Sequence, residues 1–244
     1  INNILKKKYK TVFIKKKYLD QIDEQNILKS YGKLICKKHR ETALKTAEIK
    51  KYDVAILDDG LQDESIECDL NFVCFNNINW IGNGMTIPSG PLREKINNLK
   101  KYDHIFLNGN LENLESLKEE VLKINPKINI HLGKYKPLNL DNFNKDEKYL
   151  VFSGIGNHQT FVTMIENYGL NILKDIEFPD HYSYSNNDIN EIIEISNELE
   201  CKIITTEKDY MRLKKNDPNM IKYIKVDLEI LDEKKFLKDI SEIL

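Results

Sequence analysis

The apolar run VAIL, residues 54–57, ends on Asp58, Asp59 and Gly60. Two adjacent carboxylates closing a buried strand admit two readings. One is a tight turn made of residues that turns favour. The other is a magnesium site at the carboxyl edge of a parallel sheet, where enzymes that handle phosphates keep their acidic side chains. These residues alone leave both open. Four further stretches carry groups of the same kind. GPLRE, residues 90–94, sets Arg93 beside Glu94 after a rigid turn. A guanidinium there could neutralise phosphate charge and a carboxylate could join a hard-metal shell, although an exposed ion pair uses the same residues. SGIGNHQTF, residues 153–161, is a glycine-bearing strand-to-helix turn of the sort that offers backbone N–H groups to an anion, without the G-x-G-x-x-G spacing. FPDHYSYS, residues 178–185, places Asp180 and His181 in a loop; an imidazole beside a carboxylate can move a proton near neutral pH. TTEKDYMRL, residues 205–213, passes from a strand into Glu207, Lys208 and Asp209, a pattern that a capped helix start with acidic residues in its first turn largely explains.

These residues need elements to hold them. Short apolar runs alternate with segments of helical period, which is the pattern of βαβ units and a mostly parallel sheet. Strands are expected near 33–36, 53–58, 71–75, 104–108, 128–132, 149–153, 202–206 and 222–226. Helices are expected at 40–50, about 112–124, 158–168, 186–199, 207–214 and 233–243. Ser185 and Asp188 form a capping pair for the fourth helix, whose inner face is Ile189, Ile192, Ile193 and Ser196. Residues 83–95 form a loop longer than such connections usually are, and ordered long loops on parallel sheets serve sites. The aperiodic stretch 135–148 marks a boundary, giving an amino-terminal lobe of 1–148 and a carboxyl-terminal α/β lobe of 149–244.

Composition narrows the class. The 244 residues are 41% hydrophobic, enough for a sizeable core, and 37 Lys plus Arg against 39 Asp plus Glu leave no global field that would argue for nucleic acid. Seven lysines fall within the first seventeen residues (Lys6, Lys7, Lys8, Lys10, Lys15, Lys16 and Lys17), either as a solvated surface or facing anionic lipid head groups. Cys36, Cys68, Cys74 and Cys201 form no C-x-x-C pair and read as buried thiols of a reducing, cytosolic compartment. No stretch is apolar for long enough to span a membrane.

Taken in order, DDGLQ, GPLRE, FSGIGN-x-QTF, FPDHY-x-Y and TTEKD-x-x-RL resemble the tetraacyldisaccharide 4'-kinases, the lipid A 4'-kinases of Gram-negative bacteria, from about residue 20 to the carboxyl end. The resemblance implies a P-loop NTPase-like fold. It also implies transfer of the γ-phosphate of ATP, with Mg²⁺, to the 4'-hydroxyl of an acylated glucosamine disaccharide lipid at the cytoplasmic face of the inner membrane. Asp58 and Asp59 match the family's acidic pair and Glu94 its GPLRE glutamate, as metal ligands; Arg93 stands beside them for the nucleotide phosphates. The family's base lies in a Gly-Asp-Glu-Pro motif, whose counterpart here is IDEQNIL, residues 22–28, with Asp23 as the base and Ile22 and Gln25 in place of glycine and proline. His181 matches the histidine that partners this aspartate or supports the metal. Two more departures are Asp63, where a histidine is common after DDGLQ, and His158, which replaces a proline. The family's glycine-rich Gly-Lys-Thr loop and the hydrophobic helix before it have no counterpart in residues 1–244, so the chain reads as a kinase lacking its first strand, phosphate loop and membrane anchor, and inactive by itself. The two lobes are expected to meet at a cleft lined by Asp58, Asp59, Glu94 and His181. A non-catalytic nucleotide-binding or interaction domain on the same fold is the alternative.

Overall fold

The computed structural model describes residues 1–18, 22–109, 114–213 and 220–242, with the side chains of residues 22, 23 and 109 excepted. The chain divides into two units, Ile1–Asp69 and Leu70–Leu244.

In the first unit a short helix α1 (Asn2–Leu5) leads into β1 (Thr11–Lys16), followed by α2 (Ile22–Tyr31), β2 (Leu34–Lys37), α3 (Arg40–Ile49) and β3 (Val54–Leu57). The strands form a parallel sheet in the order β2-β1-β3. As the middle strand, β1 is covered on both faces, so Val12, Phe13, Ile14 and Lys15 are all buried. Ala43 and Ala47 lie one turn apart on α3, and together with Val12, Ile14 and Ile35 they form the unit's core; small side chains let the helix lie close to the strands.

The second unit holds β4 (Phe72–Asn76), β5 (His104–Gly109), α4 (Leu114–Ile124), β6 (Asn129–Pro137), β7 (Lys148–Ser153), α5 (His158–Asn167), β8 (Asn171–Glu177), α6 (Asn186–Glu198), β9 (Lys202–Thr206), α7 (Glu207–Arg212), β10 (Ile221–Ile224), β11 (Val226–Ile230) and α8 (Glu233–Ser241). One sheet runs β10-β9-β7-β8 and is wholly parallel. The other runs β11-β6-β5-β4, parallel except for β11. Strand β7 shows why its sequence is a continuous apolar run. Tyr149 and Val151 point into a cluster with Phe161 and Ile165 of α5, while Leu150 and Phe152 point the other way, onto Ile189 and Ile192 of α6. Ser185 and Asp188 close the expected capping box at the start of α6. A new sheet begins with β7, and after β10 the chain returns to the older one, where β11 pairs with β6 and α8 brings Phe236 and Ile240 into the interior.

The α/β class with mostly parallel strands and flanking helices is as expected, and each anticipated strand and helix is present to within a few residues, the last anticipated strand appearing as two, β10 and β11. No periodicity in the sequence marks α1, β1, α2 or β8. In β1 only three apolar residues separate runs of lysine, and β8 is a largely exposed edge strand with no apolar face to betray it. Two expectations are corrected. Lys15 is buried and ion-paired rather than part of a solvated lysine surface. The cysteines are not fully buried: Cys36, Cys68 and Cys201 are half-buried and Cys74, on the edge strand β4, is exposed. No helix among the described residues is long and apolar enough to cross a membrane.

Candidate active site

The DDG turn is built from three directions. Parallel pairing sets Ile14 opposite Leu57, so the residues that follow, Lys15 and Asp58, emerge side by side at the carboxyl end of the sheet. The Lys15 ammonium lies 2.5 Å from Asp58 Oδ2 and 2.9 Å from Glu24 Oε2. Burial by itself would lower the Lys15 pKa, yet the hydrogen bonds and charges of Asp58 and Glu24 outweigh it and hold the group above its usual value. Lys15 therefore stays charged and ties the end of β3 to the first turn of α2. Asp23 precedes Glu24 at the start of that helix, and its side chain lies outside the described residues.

Arg40, the buried first residue of α3, grips the turn from the other side. Its Nη2 donates to the carbonyl oxygens of Asp58 (3.2 Å) and Asp59 (2.6 Å), and its Nη1 to Asp63 Oδ2 (3.0 Å). Asp63, the departure noted after DDGLQ, thus completes a guanidinium clamp; hydrogen bonds from Ser65 and then from Arg40 keep its carboxyl below the ordinary carboxylate range. Asp59 adopts a left-handed backbone, φ +53°, and its side chain is exposed. Asp58 and Asp59 are hard oxygen donors on a turn whose carbonyls are already satisfied, a donor set that suits Mg²⁺ holding several waters.

Arg93, Glu94 and His181 belong to the second unit. Arg93 is exposed. Glu94 is half-buried and accepts hydrogen bonds from Asn98 Nδ2 (2.8 Å) and the Tyr102 hydroxyl (3.2 Å), both on or beside the short 3-10 helix that follows. His181 sits elsewhere in this unit, in the loop before α6, also with a left-handed backbone, φ +60°. Its Nδ1 is 3.2 Å from Arg212 Nη2 and its Nε2 is 3.5 Å from Lys208 Nζ. Both ring nitrogens of His181 therefore face donors that cannot accept, a guanidinium at Nδ1 and an ammonium at Nε2.

The centre of this second cluster is Asp209, which local pattern marks only as an acid in the first turn of a capped helix. Asp209 is completely buried. Its Oδ1 accepts from the backbone N–H of Gly154 (3.1 Å), the Tyr184 hydroxyl (3.0 Å) and Arg212 Nη1 (3.2 Å), and its Oδ2 from the Thr206 hydroxyl (2.6 Å). One carboxylate thereby joins the SGIGN turn, the FPDHYSYS loop and the start of α7. Burial, followed by the charge of Asp209, pushes the Tyr184 hydroxyl far above its ordinary pKa, so it keeps the proton it donates. Arg212 closes the ring by donating to the Gly154 carbonyl at 2.8 Å. The N–H of Gly154 is consequently spent on the Asp209 carboxylate and is not available to a bound phosphate.

His158 takes part in a chain that resembles a hydrolytic triad: the Ser153 hydroxyl is 2.7 Å from its Nδ1 and Asp175 Oδ2 is 3.0 Å from its Nε2. Ser153 is fully buried, so no substrate reaches it, and the chain serves to fasten β7, α5 and β8 together.

Comparison with known proteins gives this arrangement its context. The family model described as tetraacyldisaccharide-1-P 4'-kinase (LpxK) matches residues 8–244. A tetraacyldisaccharide 4'-kinase from Pelagibacter ubique is 56% identical over 229 residues, which are 94% of this chain and 73% of that one. Its counterpart from Rickettsia canadensis is 36% identical over 88% of this chain and 66% of its own length. Among solved structures, LpxK from Aquifex aeolicus, crystallised in complex with ATP, aligns with a TM-score of 0.65 at 20% identity, covering 98% of this chain and 81% of that one, a likeness of fold. With nearly the whole sequence matched by the family model and by a relative of this similarity, the chain belongs to the tetraacyldisaccharide 4'-kinase family.

Proposed function

We propose that this chain carries the metal-binding and base-bearing machinery of a lipid A 4'-kinase, which moves the γ-phosphate of ATP to the 4'-hydroxyl of an acylated glucosamine disaccharide. The observation that carries this reading is the DDG turn, where two carboxylates stand at the carboxyl end of a parallel sheet, their backbone held by Arg40 and one side chain held by the buried Lys15. Asp58 and Asp59 are the ligands for Mg²⁺; Glu94 and Arg93 keep the roles that the family resemblance implies, a carboxylate donor and a guanidinium for phosphate. Bound there, Mg²⁺ would neutralise charge on the transferred phosphate. Asp23 takes the proton of the sugar hydroxyl, a poor nucleophile until that proton leaves. Lys15 holds Glu24, the residue next to it, and so fixes the start of α2 relative to Asp58. His181, held by Arg212 and Lys208, keeps the role that the family resemblance implies for it, support of the base or of the metal. A lipid substrate places the enzyme at the inner-membrane surface, on the cytoplasmic side where ATP is found.

Asp23 and Glu24 can be told apart by kinetics. In a form extended at its amino end with the family's Gly-Lys-Thr phosphate loop, Asp23→Asn is expected to lower kcat by about 10²-fold or more with little change in the KM for ATP, since it removes a group that acts only in the transition state. Glu24→Gln, which weakens a tether, should change kcat far less. Equal effects of the two substitutions would contradict the assignment of the base.

A further inference from the structure

We infer that His104, His131 and Asp239 form a binding site for a zinc-like divalent cation that fastens α8 to the sheet beneath it. His104 on β5 pairs with Asn129 of β6, and Phe106 pairs with His131, so the two histidines are diagonal neighbours on one face of the sheet. Asp239 comes from α8, one turn after Phe236. His104 Nδ1 and His131 Nε2 are 3.0 Å apart, Asp239 Oδ2 is 3.6 Å from the same Nε2, and one ligand atom from each of the three residues lies within 4.8 Å of the others. Tetrahedral zinc with bonds of 2.0–2.2 Å separates its ligand atoms by about 3.3 Å, between the two closer separations.

Hydrogen bonding alone does not account for the cluster. The two imidazoles can share one proton, in either tautomer, but Asp239 Oδ2 is buried and has no hydrogen-bond partner among the described residues. A distance of 3.6 Å is too long for a hydrogen bond, and neither tautomer supplies the carboxylate with a donor. The residue also lies in the last turn of α8, where the helix dipole disfavours an anion and favours a cation. Both rings are nearly inaccessible, and Phe72 and Phe236 pack against them, with Phe236 5.3 Å edge-on to His131. Lone pairs of two imidazoles and a carboxylate therefore converge at one point, and a water would complete the tetrahedron. Imidazole donors select zinc and its neighbours over magnesium, which keeps this site separate in chemistry from the carboxylates of the DDG turn, with which it shares no residue.

The test uses the whole chain, stripped with EDTA and then titrated with Co²⁺ or Zn²⁺ in a large excess of Mg²⁺ to saturate all-oxygen sites. One equivalent of Co²⁺ should bind with the intense visible bands of a four-coordinate nitrogen–oxygen site, and Zn²⁺ should raise the melting temperature. Asp239→Asn and His131→Gln should each weaken Co²⁺ binding at least tenfold and abolish the Zn²⁺-dependent shift. Asp239→Asn is nearly isosteric and keeps the metal-free fold, which the melting temperature in EDTA monitors, while Asp58→Asn should leave Co²⁺ binding unchanged. Absence of the visible bands together with equal melting temperatures in Zn²⁺ and EDTA would overturn the inference, leaving a hydrogen-bonded histidine pair. Bands that survive both substitutions, or that disappear with Asp58→Asn, would overturn it as well.

Discussion

Asp209→Ala should destabilise the second unit by about 3–5 kcal/mol, the cost of removing one partner from a buried charged network. Four donors converge on this fully buried carboxylate, and the substitution leaves the Tyr184 hydroxyl and the Gly154 N–H without their acceptor in an interior that water does not reach. Arg212 would keep the Gly154 carbonyl and its contact with His181, but it would lose the buried charge that balances it. Because total stabilities are only about 5–15 kcal/mol, a loss of this size should be plain in urea melts followed by far-ultraviolet circular dichroism. Tyr184→Phe, which removes a single donor, should cost only about 1–2 kcal/mol. A loss below 1 kcal/mol for Asp209→Ala would mean that the loop before α6 and the turn at Gly154 are held by other contacts.

The second large effect is expected at Asp58. In the amino-terminally extended form, Asp58→Asn should lower kcat by about 10²–10³-fold and raise the Mg²⁺ concentration needed for half-maximal rate, because an amide replaces an anionic ligand where phosphate charge must be neutralised. Stability should change little. The amide oxygen can still accept from Lys15, Glu24 continues to pair with that ammonium, and Arg40 holds the turn through the Asp58 and Asp59 carbonyls and Asp63, which the substitution leaves in place. An unchanged kcat and an unchanged Mg²⁺ dependence would remove Asp58 from the metal site.

How much of this was legible in the sequence varies with the physics of each residue. The acidic turn at Asp58 and Asp59 could be read because an apolar strand ends there, and the cap of α6 because Ser185 and Asp188 are only three residues apart. Strand β1 could not, since Lys15 breaks its apolar run. A lysine can be buried there only because Asp58 and Glu24, far from it in sequence, arrive to neutralise it. Asp209 was concealed for the opposite reason: an acid in the first turn of a helix is so ordinary that local pattern gives it no further role, and its partners Gly154 and Tyr184 come from distant loops. Asp63 looked like a lost family feature, whereas Arg40 makes it part of the clamp on the turn. The buried histidines of β5 and β6 occupy positions of a strand face that apolar residues usually fill, and no spacing in the sequence joins them to Asp239.

The most direct test of the kinase reading follows phosphate from ATP to the lipid. Residues 1–244 behind the family's Gly-Lys-Thr loop would be incubated with Mg²⁺, ATP labelled in its γ-phosphate and the tetraacyldisaccharide 1-phosphate, and the lipid would be analysed by mass spectrometry. The expected result is a lipid heavier by one phosphate at the 4' position, formed only with Mg²⁺ and lost with Asp58→Asn or Asp23→Asn. Binding of Mg-ATP by calorimetry with no phosphate delivered to the disaccharide would contradict the account and favour a nucleotide-binding domain without turnover.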